Sequence, residues 1–140
     1  MKRSLKLGAM LAAVALVWTT VRAQGPSFDK LSAADRAAFT QRFEKEIWPL
    51  MQRGGKRSCV GCHSGGIVSA LKLSGNPGKD FPMLLKDGFL IPNDAGSLLS
   101  RITDGDPERR MPKDGKPWDA QDVQTLRTFV AELDQKQQKK

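Results

Sequence analysis

Cys59-Val60-Gly61-Cys62-His63 is the stretch on which this chain turns. C-x-x-C-H is the pattern by which a haem is attached covalently, through two thioethers and an axial imidazole. The spacing has a mechanical reason. Two cysteines three apart share one turn of backbone and reach the two vinyl-derived carbons on one edge of a porphyrin. The histidine that follows projects beneath the ring toward the iron. The chain has two cysteines and one histidine in all, so these five residues hold every thiol and imidazole it has. A structural zinc site usually takes four ligands, arriving as two separated pairs, and no second pair is present. A thioredoxin-like C-x-x-C normally accompanies a βαβ pattern, which the sequence lacks. A disulfide between Cys59 and Cys62 would close a very small, strained loop. Covalent haem c, held through Cys59 and Cys62 with His63 on the iron, is the expected cofactor.

The N-terminus points the same way independently. Lys2, Arg3 and Lys6 precede an apolar run from Leu7 to Trp18, and Val21-Arg22-Ala23 forms a small-x-small cleavage site. That is the three-part layout of a secretory signal peptide, with an apolar run short for a membrane span. An uncleaved anchor is the alternative. Covalent haem attachment belongs to the export side of a bacterial membrane, so a periplasmic or otherwise exported location is expected.

Removal of residues 1–23 leaves 117 of the 140 residues, enough for one domain. It removes four of the 23 basic residues and none of the 15 acidic ones, so the formal charge falls from +8 to +4. Three of the remaining positive charges are Lys136, Lys139 and Lys140, in a polar stretch after Leu133. The basic character therefore reflects an export signal and a tail, and gives no reason to invoke nucleic acid. The expected organisation is a signal peptide over 1–23, an extended leader over 24–30, one domain over 31–134 and a polar basic tail over 135–140.

Helical periodicity dominates the domain. Ser32 followed by Asp35 reads as an N-cap, and Phe39, Phe43 and Ile47 recur at four-residue steps. Pro49 predicts an end or a kink at Trp48. Gly54-Gly55 predicts a turn into the haem motif. Asp119 with Asp122 caps a last helix whose apolar face carries Val123, Leu126, Val130 and Leu133, with Trp118 placed to staple onto Val123. A short helix is expected over Ser97–Ile102. Between Gly65 and Asp94 the chain is rich in Gly, Pro, Asn and Asp, leaving room for a short helix over Phe81–Lys86. Leu71-Lys72-Leu73 and Phe89-Leu90-Ile91 are candidates for a minimal two-stranded ribbon. Asp104 to Pro117 reads as a long loop, and such loops are often functional. The fold class expected is all-α.

With one histidine, a second imidazole ligand is impossible within the chain. Met51 lies on the first helix and fits a core position. Met83 sits in an apolar context where a gap-filling thioether is ordinary. Met111 stands in Arg109-Arg110-Met111-Pro112-Lys113, between charges in a loop, where a packing methionine has little reason to be. Met111 is thus the candidate sixth ligand, with Met83 or an open position as alternatives. Met/His ligation raises the potential and leaves iron with no vacant position, which is electron-carrier chemistry. The second nitrogen of His63 is expected to donate to a backbone carbonyl, with Pro77 or a neighbour in Ser74–Pro77 as candidate. Arg101 and Trp118 are candidates to meet a haem propionate.

Taken together, these residues resemble the planctomycete-type cytochrome c domains, relatives of the class I mono-haem cytochromes c. The resemblance runs from about Phe43 to Leu133. It passes through Phe43-Glu44-Lys45-Glu46-Ile47-Trp48-Pro49-Leu50, the C-x-x-C-H motif, Leu71-Lys72-Leu73, Ile91-Pro92-Asn93-Asp94-Ala95-Gly96-Ser97-Leu98-Leu99-Ser100-Arg101-Ile102, Met111-Pro112 and the closing helix. It implies a helical domain wrapped around one haem c, with His63 proximal and Met111 distal. Gly54-Gly55 before the motif, and Asn93 where a glycine is usual, depart from the common pattern and concern local loop geometry. The function expected is a carrier of single electrons between periplasmic or membrane redox proteins, not an enzyme in its own right. One rival is a dedicated electron-transfer subunit of a dehydrogenase or oxidase. The other is a five-coordinate haem protein that binds or reduces a small ligand.

Overall fold

Ser32 opens the first helix as its spacing predicts. Its hydroxyl accepts the Asp35 N–H at 3.0 Å and donates to the Asp35 carboxylate at 2.6 Å, which starts α1 (Ala33–Arg42). A computed structural model describes residues 27–65, 71–113 and 115–139; the signal peptide expected over 1–23 lies outside the described residues. We expect Ser32→Ala to cost about 1 kcal/mol, the usual worth of such a cap, read as a lower midpoint in denaturant unfolding.

Pro49 does not end the helical path. A π-helical turn over Phe43–Ile47 follows α1, and the chain continues as α2 (Trp48–Gln52) with Pro49 in its first turn. There the missing proline N–H breaks no hydrogen bond. Arg53 then leaves the helix, and Gly54 and Gly55, at φ +105° and +59°, turn the chain into a 3-10 turn over Gly55–Arg57. Ser58 caps α3 (Cys59–His63), which is the C-x-x-C-H motif itself.

The next helix is longer than periodicity suggests. α4 spans Pro77–Lys86, with Asn76 as its cap and Pro77 at its start. α5 (Leu98–Thr103) is capped by Ser97, and α6 (Ala120–Gln138) by Asp119, whose side chain accepts the Asp122 N–H. Between α5 and α6 the chain forms turns only, among the described residues, as expected of the Asp104–Pro117 loop.

Three expectations need correction. No strand occurs among the described residues, so the ribbon is absent. Its two candidate segments find other partners: Leu73 N–H bonds His63 O, Phe89 N–H bonds Leu84 O, and Phe89 O accepts from Leu98 N–H. The leader over 24–30 is not wholly extended, because Phe28–Lys30 forms a 3-10 turn capped by Ser27. The tail is not separate either. α6 runs to Gln138, Lys136 pairs with Asp35 at 2.9 Å, and Gln137 accepts the Ser27 N–H at 2.9 Å.

An aromatic cluster ties these elements together. Phe43 stacks on Phe81 with centroids 5.2 Å apart, and Phe129 meets Phe81 edge-on at 5.9 Å and Phe39 at 5.6 Å. The cluster joins α1 and its π turn to α4 and α6. Phe43, Phe81 and Phe129 are fully buried. Each such side chain contributes about 1.5–3 kcal/mol by leaving water. Trp118 and Val123 both pack against this core. Among the described residues, no helix is long and apolar enough to cross a membrane.

Candidate functional site

The C-x-x-C-H motif is held from two sides. On one, Ser58 accepts the Gly61 N–H at 2.9 Å and donates its own hydroxyl to Gly55 O at 2.6 Å, so α3 is pinned to the turn before it. On the other, Leu71–Leu73 runs along His63. Leu73 N–H bonds His63 O at 3.0 Å, and His63 Nδ1 lies 2.9 Å from Leu71 O. A ring nitrogen facing a carbonyl oxygen must carry the proton. His63 is therefore the Nδ1–H tautomer, and Nε2 keeps the lone pair a metal would use. The acceptor is Leu71, not Pro77 or its neighbours. Those residues belong to the cap of α4, where Asn76 O accepts from Asp80 N–H.

The two cysteines are not joined to each other. Cys59 is buried, and that burial pushes its thiol up to about 11. Cys62 is exposed and lies 3.3 Å from Lys56 O. The thiols thus sit on one turn with one facing inward and one at the surface.

Two adjoining cavities meet at the motif. The smaller, about 120 Å³, is lined by Ser58, Cys59, Cys62, His63 and Met111 together with Pro112 and Lys113. The larger, about 400 Å³, extends away from the cysteine edge over Leu71, Phe89 and Leu98 to Arg101 and Arg109. Cys59, His63, Met111 and Lys113 border both. Met111 reaches this position because its N–H bonds Arg101 O at 2.8 Å, tying the loop to the fourth residue of α5. Met51 is fully buried in the core, and Met83 packs partly buried against that core; neither borders these cavities.

The chemistry of the lining fits a covalently held haem. Two thiols face one end, and an imidazole with an oriented lone pair and a thioether border the same space. The larger cavity's wall includes the apolar side chains of Leu71, Phe89 and Leu98, with Arg101, Glu108, Arg109 and Lys113 also bordering it. Among the described residues no cluster of three or more His, Cys, Asp and Glu side chains converges to hold a bare metal ion. Arg101 is exposed, lines the larger cavity and has no side-chain hydrogen bond or ion pair among the described residues. Arg109, beside it, is engaged with Asp104 at 3.4 Å and Asp106 at 3.3 Å. Trp118 is elsewhere: with Arg53, Arg57 and Lys116 it lines a separate recess of about 320 Å³.

No family model, curated protein or solved structure matches the chain. The resemblance to planctomycete-type cytochromes c therefore rests on the residues quoted above.

Sequence reasoning missed three contributors. Ser58 carried a signal, since a serine directly before a helical motif is a cap. Leu71 carried none, because its carbonyl acts and any residue has one. Asn76-Pro77 is a cap followed by a first-turn proline, and it marked the true start of α4.

Proposed function

We propose that this chain is an exported mono-haem c-type cytochrome that carries single electrons between periplasmic or membrane redox proteins. Cys59 and Cys62 would hold the haem, and His63 and Met111 would be its axial ligands. The observation that carries this reading is that Met111, distant in sequence, borders the same two cavities as Cys59 and His63. When bound, the haem supplies a one-electron Fe(III)/Fe(II) couple.

The residues then divide the work. Leu71 O accepts a hydrogen bond from His63 Nδ1–H and fixes the imidazole, which would raise its basicity as a ligand. The Met111 thioether would be a weak donor to the iron, one that favours the reduced state. Leu71, Phe89 and Leu98 exclude water, and Arg101 is the cation available to a haem carboxylate on the edge away from the cysteines. Cys62 at the surface leaves the thioether edge as the route for electrons. Lys56 and Arg57, just before the motif, are exposed and would steer an acidic partner into brief contact.

The absorption spectrum of wild type and Met111→Ala, in both oxidation states, tests the reading. We expect a haemochrome spectrum from wild type and a ferric Met–iron charge-transfer band that Met111→Ala abolishes. We also expect carbon monoxide to bind the reduced variant and not the reduced wild type. Persistence of the band in Met111→Ala would promote Met83. Carbon monoxide binding by native protein would favour the five-coordinate rival.

A further inference from the structure

Asp80 is 2 % exposed and meets no cation among the described residues. Burying a carboxylate is costly unless its oxygens are hydrogen-bonded. Here both oxygens are. Oδ1 accepts the Ser74 N–H at 2.8 Å and Oδ2 accepts the Gly75 N–H at 3.1 Å. Asp122, the other buried carboxylate, is instead ion-paired to Arg53.

Ser74 and Gly75 end the short segment that begins at Leu71. That segment grips the haem-motif histidine twice, through Leu71 O on Nδ1 and through Leu73 N–H on the His63 carbonyl. Asp80 sits on α4, whose Phe81, Leu84 and Leu85 are fully buried, so the carboxylate is fixed to the core. The segment itself has no ladder partner, and residues 71–75 take no regular structure. Leu71 and Leu73 are buried in the core, and the segment's polar anchors are His63 at one end and Asp80 at the other.

We propose that Asp80 is a positioning residue for His63. It clamps the 71–75 segment to α4, and so holds the Leu71 carbonyl where it accepts the hydrogen bond from the imidazole Nδ1–H. Charge-assisted bonds to backbone N–H groups are stronger than neutral ones, which suits a clamp that must not drift. The redox consequence rests on the proposed function; the effect on the His63 proton does not.

The test compares wild type with Asp80→Ala, Asp80→Asn and, as a matched buried carboxylate, Asp122→Asn. Two readouts are taken. One is the exchange rate of the His63 Nδ1 proton with solvent, by NMR. The other is the equilibrium constant for reduction by a mediator of known potential. Asp80→Ala is expected to speed exchange about tenfold or more, the loss of a charge-assisted bond. It should raise the reduction constant up to about tenfold, because an imidazole without its acceptor is a poorer donor to Fe(III). Asp80→Asn keeps one acceptor oxygen and should shift both less. Asp122→Asn should lower stability and move neither. Unchanged readouts in the Asp80 variants, or equal shifts in Asp122→Asn, would overturn the proposal. If Asp80→Ala does not accumulate, Asp80→Asn decides by the same criteria. A wild-type protein with no haemochrome band would instead overturn the proposed function, and proton exchange would still judge Asp80.

Discussion

Gly61→Ala is expected to reduce the yield of folded, haem-bearing protein severely. The two positions between the cysteines take no part in attachment chemistry, and most side chains would be tolerable there on chemical grounds. In this fold the second is not free. A Cβ on Gly61 would overlap the Gly55 carbonyl oxygen and lie 2.8 Å from Lys56 Cα and carbonyl carbon. All of these are backbone atoms, so no rotamer change relieves the contact. Nor can the turn swing away cheaply, because Ser58 bridges Gly55 O and Gly61 N–H. Overpacking of a tight contact costs about 1–3 kcal/mol, and more where backbone must move. We expect at least the upper end of that range, together with loss of most attached haem. Val60→Ala is the companion, since Val60 is only half-buried and its truncation introduces no clash. The measurements are haem per chain by pyridine haemochrome and the denaturant midpoint. A Gly61→Ala protein with wild-type haem content and midpoint would mean that the turn and α3 do not approach as described.

That contact gives a physical reading to the pair of glycines that depart from the resembling family's pattern. Gly54 and Gly55 both adopt positive φ, which L side chains rarely do, and they lay a backbone turn directly on α3. The departure and the motif are thus two sides of one interface. The sequence showed the turn, but not what the turn touches. A contact between two glycines leaves no pattern of side chains to read.

The same distinction separates the rest of what was legible. Ser32 and Asp119 were readable because a cap acts on N–H groups two or three residues away, so its signature is local. Met111 was readable because a thioether among charges contradicts its surroundings, and the fold resolves that by bringing it to the cavity that His63 borders. Leu71 and Asp80 were not. Leu71 acts through a carbonyl, and Asp80 binds N–H groups that any residues would supply. Pro49 misled because its effect depends on register: the π turn before it makes proline the start of a new turn instead of a break in an old one. The ribbon misled because Leu71–Leu73 has the right composition for a strand, while its hydrogen bonds go to the histidine.

A chain without haem is expected to lose cooperative folding. In Cys59→Ala, Cys62→Ala prepared free of haem, the larger cavity has no covalent occupant, and its wall includes Leu71, Phe89 and Leu98. At about 24 cal/mol per Å³, a closed void of about 400 Å³ would cost about 10 kcal/mol. That is an upper limit, since this cavity opens to solvent, but it is comparable with the whole net stability of a small domain, about 5–15 kcal/mol. The aromatic cluster of Phe39, Phe43, Phe81 and Phe129 joins α1, α4 and α6 away from the cavity lining, so helical content should survive in part. α3, α5 and the Met111 loop face the cavity and have least else to hold them. The expected result is a broad, weakly sloped thermal transition by circular dichroism with no calorimetric peak, beside a sharp transition for the haem-bearing wild type. A sharp transition in the haem-free variant, within a few degrees of wild type, would show that the protein core alone specifies the fold. The cavity would then be a preformed receptacle instead of a space whose walls the haem assembles.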